Sequence, residues 1–587
     1  MAVNEIYKKA INVSLATLFR RQAEQNPDKA ALIRGGKSIT YRQLNDLSDM
    51  VAGMLINHNI KRNDVVAVAM GNDERMAISI LGVLKANCIY MPVDLKQPEN
   101  SIKYMLDDAC PTAILVGETS DQQRLCEYNT LFFSDIKCVD KSLIKMPLDN
   151  EVGPACIIYT SGSTGNPKGV LISHIGIENY ILWRIKNYGI SDADNILQLL
   201  HPAFDGYWSN LYTSLLSGST MFIYEDVTDY ENIGDYIKNN KITHFSVVPA
   251  IFNEILRFSK SNQLFTIRSV VLGGEIIQQG LLEKSFIMLP QTSIYNEYGL
   301  TETAIAVTSA KIKTCDEGNL IGKPIDGVKI KIVDEKGIHA KEGEILIGGC
   351  CLALGYINDP VLTHSRFVSD HLPDSTLFFK TGDYGILTDK GIQYTGRLDM
   401  QAKIDGYRIE VEDIIRCISS HPEIDDVRVM VCNNSFNDAV LCAFIVYKSV
   451  IAKEELRNFL GKLLPRYMIP EVYIELPRIP LLSNGKTDYS ELQEKYKSYI
   501  SEKCIVPIMT DTEKLLVRIL SEILDVTNIS TEVTFFELGG NSLLLMQFYR
   551  KIQKIFTDKI KVTDIFSYPT IAELALYIDS LIDDITE

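Results

Sequence analysis

Apolar and polar positions follow two different spacings along this chain. Between residues 60 and 350, short runs of β-branched and apolar residues are separated by longer segments in which apolar positions recur at helical spacing. The runs are VVAVAM (65–70), AILVG (113–117), ACIIYT (155–160), HFSVVP (244–249) and SVVLGG (269–274). Such runs are typical of strands buried on both faces, so we predict an α/β fold with parallel layers here.

The pattern changes after residue 328. VKIKIVDEKGIHAKEGEILIGG contains two alternating segments around a charged turn with a glycine, which predicts a β-hairpin. The α/β body is expected to close near GRLD (396–399), and residues 400–495 mix helical and strand patterns. We predict a large N-terminal subdomain over 1–396 with a β-barrel-like part, a small mobile α+β subdomain over 397–498, and a linker over 499–509.

The segment 510–587 is predicted to be a separate all-α unit of four helices. Apolar residues at 515, 516, 519, 520, 523 and 524 form one helical stripe, and Thr510 with Glu513 fits a capping box. The later stretch FFELGGNSLLLMQF (535–548) contains Gly539 and Gly540, which favour an unusual turn, followed by Ser542. A helix is expected to begin at Ser542, where free N–H groups favour phosphate. In isolation, Ser542 fits an ordinary N-cap residue equally well.

Composition narrows the class of protein. Hydrophobic residues make up 46% and charged residues 23%, as in ordinary globular proteins, and no apolar run approaches the ~18 residues that a membrane span needs. The N-terminal segment lacks a signal-peptide pattern, so we expect a cytoplasmic protein. A net charge of −16 argues against binding nucleic acid backbones. The 12 cysteines are dispersed without a C-x-x-C pair, which favours free thiols over a metal site or a disulfide framework.

The stretch IIYTSGSTGNPKGVLISH (157–174) carries the clearest chemistry. A strand-like IIYT is followed by hydroxyl residues, glycines and a lysine within a short loop. Backbone amides, hydroxyls and a mobile cation are the groups that bind a polyphosphate. The loop is not a Walker motif, because Pro167-Lys168-Gly169 stands where G-K-[ST] is required, and it is not a G-x-S-x-G hydrolase elbow.

This loop resembles the signature loop of the adenylate-forming superfamily, which includes acyl-CoA synthetases, luciferases and the adenylation domains of nonribosomal peptide synthetases. Further segments match that family in its order: YMPVDLKQP (90–98), AFDGYW (203–208), NEYGLTET (296–303), TGDYG (381–385), GRLDMQAKIDGYRIE (396–410) and NGKTD (484–488). The serine stretch at 542 resembles a peptidyl carrier domain. The resemblance therefore implies an adenylation domain fused to a carrier domain.

The resemblance also implies which residues contact ATP. They are Thr160, Ser161, Gly162, Ser163, Thr164, Gly165, Lys168, Gly274, Asn296, Tyr298, Asp383 and Arg397. Asn296 and Tyr298 would hold adenine, the latter by stacking. Asp383 suits the two ribose hydroxyls, and Arg397 would donate to ribose or phosphate. Glu302, which follows Thr301, is expected to bind Mg²⁺, and both residues are assigned to catalysis.

Lys486 in SNGKTD is the expected catalytic lysine. By resemblance it would bridge carboxylate and phosphate oxygens and so reduce the repulsion between two anions. Asp399 is the expected hinge about which the small subdomain rotates before thioester formation. Two positions depart from the family: Asp405 stands where a basic residue is common, and Asn541 where histidine or aspartate is common.

An α-amino acid is the expected substrate, because Asp205 matches the family aspartate that pairs with an α-ammonium group. An alignment without gaps gives the remaining pocket lining as Gly206, Ser209, Val247, Val271, Gly273, Glu297, Ile305 and Ala306, with Lys486. This lining resembles tyrosine-type pockets most and leucine-type pockets next. Glu297 is a candidate acceptor for a polar tip, and a basic side chain paired with it remains an alternative that the apolar walls disfavour.

The expected function is ATP-dependent formation of an aminoacyl-AMP and transfer of the aminoacyl group to 4′-phosphopantetheine on Ser542. The expected cofactors are ATP, Mg²⁺ and 4′-phosphopantetheine. The expected partners are a phosphopantetheinyl transferase and a condensation domain or tailoring enzyme in trans, with a monomeric chain acting as a loading module. An acyl-CoA synthetase is the alternative, since it would share the ATP motifs without a carrier, and a catalytically silent scaffold is disfavoured by Glu302, Asp383 and Lys486.

Overall fold

A computed structural model describes most of the chain. It describes residues 13–117, 125, 127–136, 144, 153–160, 167–227, 229–369, 377–397, 401–404, 407–433, 439–449, 451–480, 487–502, 510–524, 529–531, 534–535, 538, 542–556 and 560–583. These residues form two compact units, of which the first extends to Arg408 and the second begins at Ile409.

The described helices are numbered in chain order. In the first unit they are α1 (Leu15–Gln25), α2 (Tyr41–Asn57), α3 (Glu74–Lys85), α4 (Glu99–Ala109), α5 (His174–Tyr188), α6 (Gly206–Ser217), α7 (Tyr230–Asn239), α8 (Pro249–Phe258), α9 (Ser261–Leu264), α10 (Gln279–Met288) and α11 (Pro360–Arg366). In the second unit they are α12 (Val411–Ser419), α13 (Lys453–Gly461), α14 (Tyr489–Glu502), α15 (Asp511–Leu524), α16 (Ser542–Phe556), α17 (Val562–Ser567) and α18 (Ile571–Asp583).

The described strands are numbered in the same way. They are β1 (Ala30–Arg34), β2 (Lys37–Thr40), β3 (Val65–Ala69), β4 (Ile89–Pro92), β5 (Ala113–Val116), β6 (Thr130–Phe132), β7 (Pro154–Thr160), β8 (Lys168–Ser173), β9 (Asn195–Gln198), β10 (Thr220–Ile223), β11 (His244–Val247), β12 (Ser269–Gly273), β13 (Ser293–Tyr298), β14 (Thr308–Ile312), β15 (Leu320–Pro324), β16 (Val328–Val333), β17 (Glu342–Gly349), β18 (Gly355–Tyr356), β19 (Phe367–Ser369), β20 (Leu377–Thr388), β21 (Gly391–Arg397), β22 (Gln401–Ile404), β23 (Tyr407–Glu410), β24 (Ile424–Asn433), β25 (Ala439–Tyr447) and β26 (Val472–Glu475).

Two large sheets form most of the first unit, and β22 and β23 pair as a separate two-stranded sheet at its end. The smaller has seven strands in the order β18-β8-β7-β4-β3-β5-β6, with parallel pairing from β7 through β4, β3 and β5 to β6. The larger has 14 strands, and its β1, β10, β9, β11, β12 and β13 are parallel neighbours. The predicted α/β layers are confirmed, because each apolar run named above became a buried strand.

The antiparallel part of the larger sheet continues from β14 into the segment predicted as a hairpin. Strands β16 and β17 pair antiparallel with Val328 opposite Gly349, which confirms that hairpin. Strands β20 and β21 pair antiparallel and place Asp383 opposite Arg397. This register matters for function, since it brings two of the predicted ATP contacts side by side.

The second unit contains a small mixed sheet and a group of helices. Strand β25 pairs antiparallel with β24 and parallel with β26. Helix α14 continues to Glu502, so the predicted linker over 499–509 overlaps the last turn of a helix. Tyr499 packs against the apolar cluster beneath this sheet, which explains why the helix persists there.

The helices from residue 510 onward have their own apolar core. Leu516, Ile519, Leu520, Ile523 and Leu524 of α15 pack in this core, as the stripe predicted. The predicted capping box is confirmed: the Thr510 backbone N–H donates to Glu513 Oε2 at 2.7 Å, and the Glu513 N–H donates to Thr510 Oγ1 at 3.0 Å. Among the described residues, no helix is both long and apolar enough to cross a membrane.

Candidate active site

The open end of the β7–β8 hairpin carries two predicted phosphate contacts. Thr160 is the last residue of β7 and Lys168 the first of β8, and the two are register partners. The hydroxyl Oγ1 of Thr160 is buried and has no hydrogen-bond partner among the described residues. A buried hydroxyl without a partner is costly, so this atom is well suited to a ligand oxygen. The loop residues Ser161, Gly162, Ser163, Thr164 and Gly165 lie outside the described residues.

Tyr356 connects this hairpin to Glu302, the predicted metal ligand. Tyr356 itself was not among the residues predicted from the sequence. Lys168 Nζ lies 5.8 Å from the centroid of the Tyr356 ring. The Tyr356 hydroxyl donates to Glu302 Oε1 at 2.7 Å, and the Glu302 carbonyl accepts from the Ala353 N–H at 2.9 Å. Tyr356 belongs to the two-residue strand β18 that pairs with β8, so its position depends on a contact that is distant in sequence.

The donor set fits Mg²⁺ that arrives with a nucleotide. Glu302 supplies one fully buried carboxylate in the short 3₁₀ turn Thr301–Thr303. Within the described part of the chain, no group of three or more His, Cys, Asp or Glu residues is placed to hold a metal. Mg²⁺ usually keeps several waters and is held by one or two carboxylates together with phosphate oxygens, so a single glutamate beside Lys168 is sufficient.

A second cluster surrounds Asp383. The Tyr298 hydroxyl donates to Asp383 Oδ2 at 2.6 Å, and Arg397 Nη1 donates to Asp383 Oδ1 at 2.6 Å. Arg397 Nη2 also donates to the Thr381 carbonyl at 3.1 Å. Burial raises the pKa of the Tyr298 hydroxyl well above its usual value, and Asp383 raises it further, so this hydroxyl stays protonated and donates. The structure thus joins three predicted nucleotide contacts in one network.

Two further predicted ATP contacts belong to neighbouring parallel strands, one within β13 and one directly after β12. Asn296 of β13 is buried, and its Nδ2 donates to the Leu320 carbonyl at 3.0 Å and the Gly318 carbonyl at 3.4 Å. Gly274 follows β12 with φ 92°, a left-handed conformation that favours glycine. Ligands of parallel sheets usually bind at this edge, beyond the carboxyl ends of the strands.

The predicted amine anchor lies at the start of helix α6. Asp205 is the residue before this helix. Burial is the main cause that raises the pKa of the Cys156 thiol in β7, and the Asp205 carboxylate raises it further. The next turn is tight, because Ser209 Oγ donates to the Gly206 carbonyl at 2.7 Å. A Cβ at Gly206 would make ordinary van der Waals contact with Leu200 at 3.5 Å.

The sheet register adds one candidate residue to the predicted pocket lining. Ser246 is the partner of Val271, whereas Val247 is the partner of Leu272. Register partners point to the same face and neighbouring residues to opposite faces, so Ser246 shares a face with Val271 and Val247 does not. Gly273, two residues after Val271, lies on this face too. Val247 as a pocket residue stays a prediction, and Ser246 becomes a second candidate, because an alignment without gaps cannot detect a one-residue shift before Pro249.

Glu297 lies on the same face, and its carboxylate already accepts hydrogen bonds from other side chains. It is the register partner of Gly273, and a Cβ at Gly273 would lie 2.9 Å from the Glu297 carbonyl. The Tyr180 hydroxyl donates to Glu297 Oε2 at 2.6 Å, and the Tyr188 hydroxyl donates to Oε1 at 2.6 Å. Arg184 Nη1 lies 3.7 Å from Oε2. Glu297 is therefore part of a buried ion pair, which the sequence reasoning did not foresee.

The three partners of Glu297 come from one face of helix α5. Tyr180, Arg184 and Tyr188 are spaced four residues apart, which places them on one helical stripe. Arg184 Nη1 donates to the Tyr180 hydroxyl at 2.8 Å, and Nη2 donates to Ser246 Oγ. Burial opposes the charge of Arg184, but Tyr180 and Glu297 raise its pKa above the ordinary value. The four-residue spacing of these polar side chains in a mostly buried helix was the sequence signal that could have indicated this cluster.

The last part of the predicted pocket has an unusual backbone. Ala304 and Ile305 have positive φ values of 53° and 82°. This conformation is uncommon for an alanine and strained for a β-branched residue, and such strain persists where the surroundings hold it. Gly299 makes the conformation possible, because a Cβ there would lie 2.2 Å from the Ile305 carbonyl oxygen and 2.5 Å from Ala306 Cα.

The remaining predicted residues lie toward the C-terminal end of the chain. Helix α16 begins at Ser542, as predicted, and its Leu544, Leu545, Phe548 and Ile552 pack into the apolar core of this region. Lys486 lies outside the described residues, as do Asp399, Asp405 and Asn541. Next to Lys486, the Asp488 N–H donates to the Pro480 carbonyl at 2.9 Å, and Arg428 Nε donates to Thr487 Oγ1 at 2.9 Å.

Comparison with known proteins identifies two families. Residues 19–357 match the family model described as AMP-binding enzyme, and residues 514–578 match the model described as phosphopantetheine attachment site. Tyrocidine synthase 3 of Brevibacillus parabrevis and gramicidin S synthase 2 of Brevibacillus brevis are each 33% identical to this chain over 97% of its length. The chain spans only 9% and 13% of the lengths of these relatives.

A solved structure shares the fold over nearly the whole chain. The holo form of PA1221, described as an NRPS protein containing adenylation and PCP domains bound to a vinylsulfonamide inhibitor, superposes with a TM-score of 0.81. The sequence identity is 21%, and the match covers 97% of each chain. The predicted arrangement of a sheet-rich N-terminal part and a helical C-terminal region is thereby confirmed.

Proposed function

The chain belongs to the AMP-binding enzyme family and carries a phosphopantetheine attachment site, and from this premise we propose that it activates an α-amino acid with ATP and loads it onto Ser542. The observation that carries the proposal is the series of contacts from Lys168 through Tyr356 to Glu302. It combines a cation suited to phosphate with a carboxylate suited to Mg²⁺ beside the open end of the β7–β8 hairpin.

The first half-reaction joins two anions. A carboxylate oxygen of the amino acid attacks the α-phosphorus of ATP, the bond to the β-phosphate oxygen breaks, and pyrophosphate leaves as aminoacyl-AMP forms. Lys168 and the Thr160 hydroxyl are proposed to hold the phosphates, and Asp383 with Arg397 the ribose. Glu302 would hold Mg²⁺, which neutralises phosphate charge when bound. Lys486 would bridge the reacting carboxylate and phosphate in the transition state.

The second half-reaction forms the thioester. The sulfur of the pantetheine arm on Ser542 attacks the acyl carbon, the bond to AMP breaks, and AMP leaves with the electron pair of that bond. Lys486 and the incoming arm cannot both occupy the acyl carbon's surroundings, so a rotation about Asp399 is proposed between the two steps.

The proposed substrate has a neutral side chain, with tyrosine first and leucine second. Asp205 at the start of α6 is proposed to pair with the α-ammonium group. Gly206, Ser209 and Gly273 leave space, while Val271 and Ile305 supply apolar walls. Ser246 is proposed beside the predicted Val247, and it would add a hydroxyl on the face that β11 shares with Val271 of β12.

We expect the purified full chain to catalyse amino-acid-dependent exchange of pyrophosphate into ATP. The assay uses the common amino acids one at a time, followed by the intact mass of the protein after treatment with CoA and a phosphopantetheinyl transferase. Exchange with a neutral α-amino acid together with one added pantetheine unit supports the proposal. Release of free acyl-CoA from a fatty or aryl acid, without exchange for any amino acid, would instead favour an acyl-CoA synthetase.

Gly299→Ala is expected to lower amino acid activation roughly tenfold or more. The new Cβ would overlap the backbone of Ile305 and Ala306, and overpacking of this kind usually costs about 1–3 kcal/mol. Gly280→Ala is the matched control, because a Cβ at that position of α10 meets nothing within 4 Å. Exchange rates measured at saturating ATP should separate the two variants. Equal rates would contradict the proposed importance of this backbone.

The proposed partners follow from the carrier region. A phosphopantetheinyl transferase must supply the arm on Ser542, and a condensation domain or a tailoring enzyme in trans would accept the aminoacyl group. We propose a monomeric, cytoplasmic loading module in a pathway of the antibiotic type, in keeping with the synthetases to which the chain is similar.

A further inference from the structure

The buried cluster of Arg184, Glu297, Tyr180 and Tyr188 lies on the face of the sheet that lines the proposed amino acid pocket. Glu297 is the register partner of Gly273, and Ser246 is the register partner of Val271 on the same face. Arg184 spans this face from β13 to β11, since it contacts Glu297 on β13 and donates to Ser246 Oγ on β11. The cluster is thus placed where it meets the substrate side chain and not the reacting carboxylate.

The cluster carries one positive and one negative charge. The side chains of Arg184 and Glu297 are 2% and 7% exposed, so water does little to screen them. Burial raises the pKa of the Tyr180 and Tyr188 hydroxyls well above their usual values, so both stay neutral and donate to Glu297. The net charge of the cluster is therefore zero.

We propose that Arg184 determines the charge selectivity of the amino acid pocket by neutralising Glu297, so that the site accepts neutral side chains and rejects basic ones. This inference rests on the proposed function. A glutamate at this face would by itself attract the ammonium group of an ornithine-type or lysine-type side chain. The guanidinium of Arg184 already occupies that role, and a second buried cation beside it would lack a counter-charge.

Arg184 has a donor that supports this role. Its Nε is buried and has no hydrogen-bond partner among the described residues, while Nη1 and Nη2 are engaged. An unpartnered donor in a buried site favours a neutral hydrogen-bond acceptor, such as a hydroxyl oxygen, over another donor. A phenol or alcohol fits this requirement, whereas an ammonium group has only donors.

Arg184→Met tests the inference as a change of preference. Methionine keeps the approximate length and apolar stem but removes the charge, which leaves Glu297 buried without a counter-ion. We expect the ratio of kcat/KM for ornithine or lysine to kcat/KM for the best neutral amino acid to rise by roughly a hundredfold in pyrophosphate exchange. If Arg184 served only stability, Arg184→Met would lower kcat/KM for all substrates by the same factor and would leave this ratio unchanged.

Three further variants make the test specific. Arg184→Lys retains the positive charge and should not gain activity toward ornithine. Arg268→Met removes a half-exposed arginine at the opposite end of β12, where it pairs with Asp194, and should leave the ratio unchanged. The double variant R184M/E297Q removes both charges and should lose the gain for ornithine that R184M shows, because no carboxylate is left to bind it.

The outcomes separate this inference from the proposed function. If the wild-type chain exchanges pyrophosphate with no amino acid, the proposed function fails. If it prefers ornithine or lysine, or if folded R184M gains nothing toward them, the role of Arg184 is overturned while amino acid activation stands. If R184M does not fold, the variant E297Q replaces it in the test. E297Q leaves the charge of Arg184 without a counter-ion, so the activity toward glutamate relative to neutral amino acids should rise. The absence of such a rise would overturn the inference.

Discussion

Replacing Lys486 with alanine is expected to lower aminoacyl-AMP formation by roughly 10²–10³-fold, the usual cost of removing one preorganised charge that stabilises a transition state. Two anions, the amino acid carboxylate and the α-phosphate, must approach each other before pyrophosphate leaves. Lysine offers a compact charge with three donors on a flexible stem, so one ammonium group can contact oxygens of both reactants. Arginine at 486 should restore little, because its planar fork cannot replace a point charge at a shared position.

The flanking residues indicate that the variant will fold. Segment 481–486 connects Pro480 with Thr487, and the backbone bond from Asp488 to Pro480 and the bond from Arg428 to Thr487 do not involve the Lys486 side chain. Pyrophosphate release with the preferred amino acid measures the loss. Lys462→Ala, which removes an exposed lysine at the end of α13, is the matched control and should retain full activity. Normal adenylate formation by Lys486→Ala, with modification of Ser542 intact in both variants, would refute the assignment.

Sequence patterns predicted the elements that depend on local spacing. The five apolar runs became buried strands, the hairpin after Val328 formed, and Thr510 and Glu513 made both bonds of the capping box. Each depends on residues close together in the chain, whose periodicity or spacing is visible without knowledge of the fold. The family resemblance added the nucleotide contacts, and the structure brings Tyr298, Asp383 and Arg397 into one network.

Contacts between distant segments were missed. Tyr356 reaches Glu302 because a two-residue strand pairs with β8, and a strand of that length leaves no pattern in the sequence. Arg184 reaches Glu297 because helix α5 packs over strands β11 to β13, an arrangement that only the fold defines. The pairing of Ser246 with Val271 was missed for the same reason, since side chains alternate along a strand and a shift of one residue reverses the face.

Glu297 shows how such a contact changes a functional interpretation. Read as an isolated acid, it was a candidate acceptor for a polar or basic side chain. Paired with Arg184 and bound by two tyrosine hydroxyls, it is instead one half of a buried ion pair. The charge of a binding pocket therefore cannot be counted from its aligned lining residues alone, because a partner from another helix can cancel it.

Replacing Ser542 with alanine is expected to abolish phosphopantetheine attachment and thioester formation completely, while amino-acid-dependent pyrophosphate exchange continues at the wild-type rate. The attachment needs the serine oxygen as the nucleophile, and alanine offers none. In the proposed mechanism, the first half-reaction uses groups between Thr160 and Lys486 and does not need the arm on Ser542. Intact mass after treatment with CoA and a phosphopantetheinyl transferase measures the first effect, and radioactive exchange measures the second.

The expected loss is chemical rather than structural, which a second variant can establish. Helix α16 is held by Leu544, Leu545, Phe548 and Ile552 in the core, and loss of a serine cap at a helix start costs only about 0.5–2 kcal/mol. Ser580→Ala removes an exposed serine from α18 whose hydroxyl donates to the Tyr577 carbonyl at 2.7 Å, so this control should still gain one pantetheine unit. If Ser542→Ala still gained a pantetheine unit, the arm would be attached to another residue. Ser542 would then not be the residue that receives the activated amino acid. Loss of exchange in the same variant would mean that the two regions are coupled already in the first half-reaction.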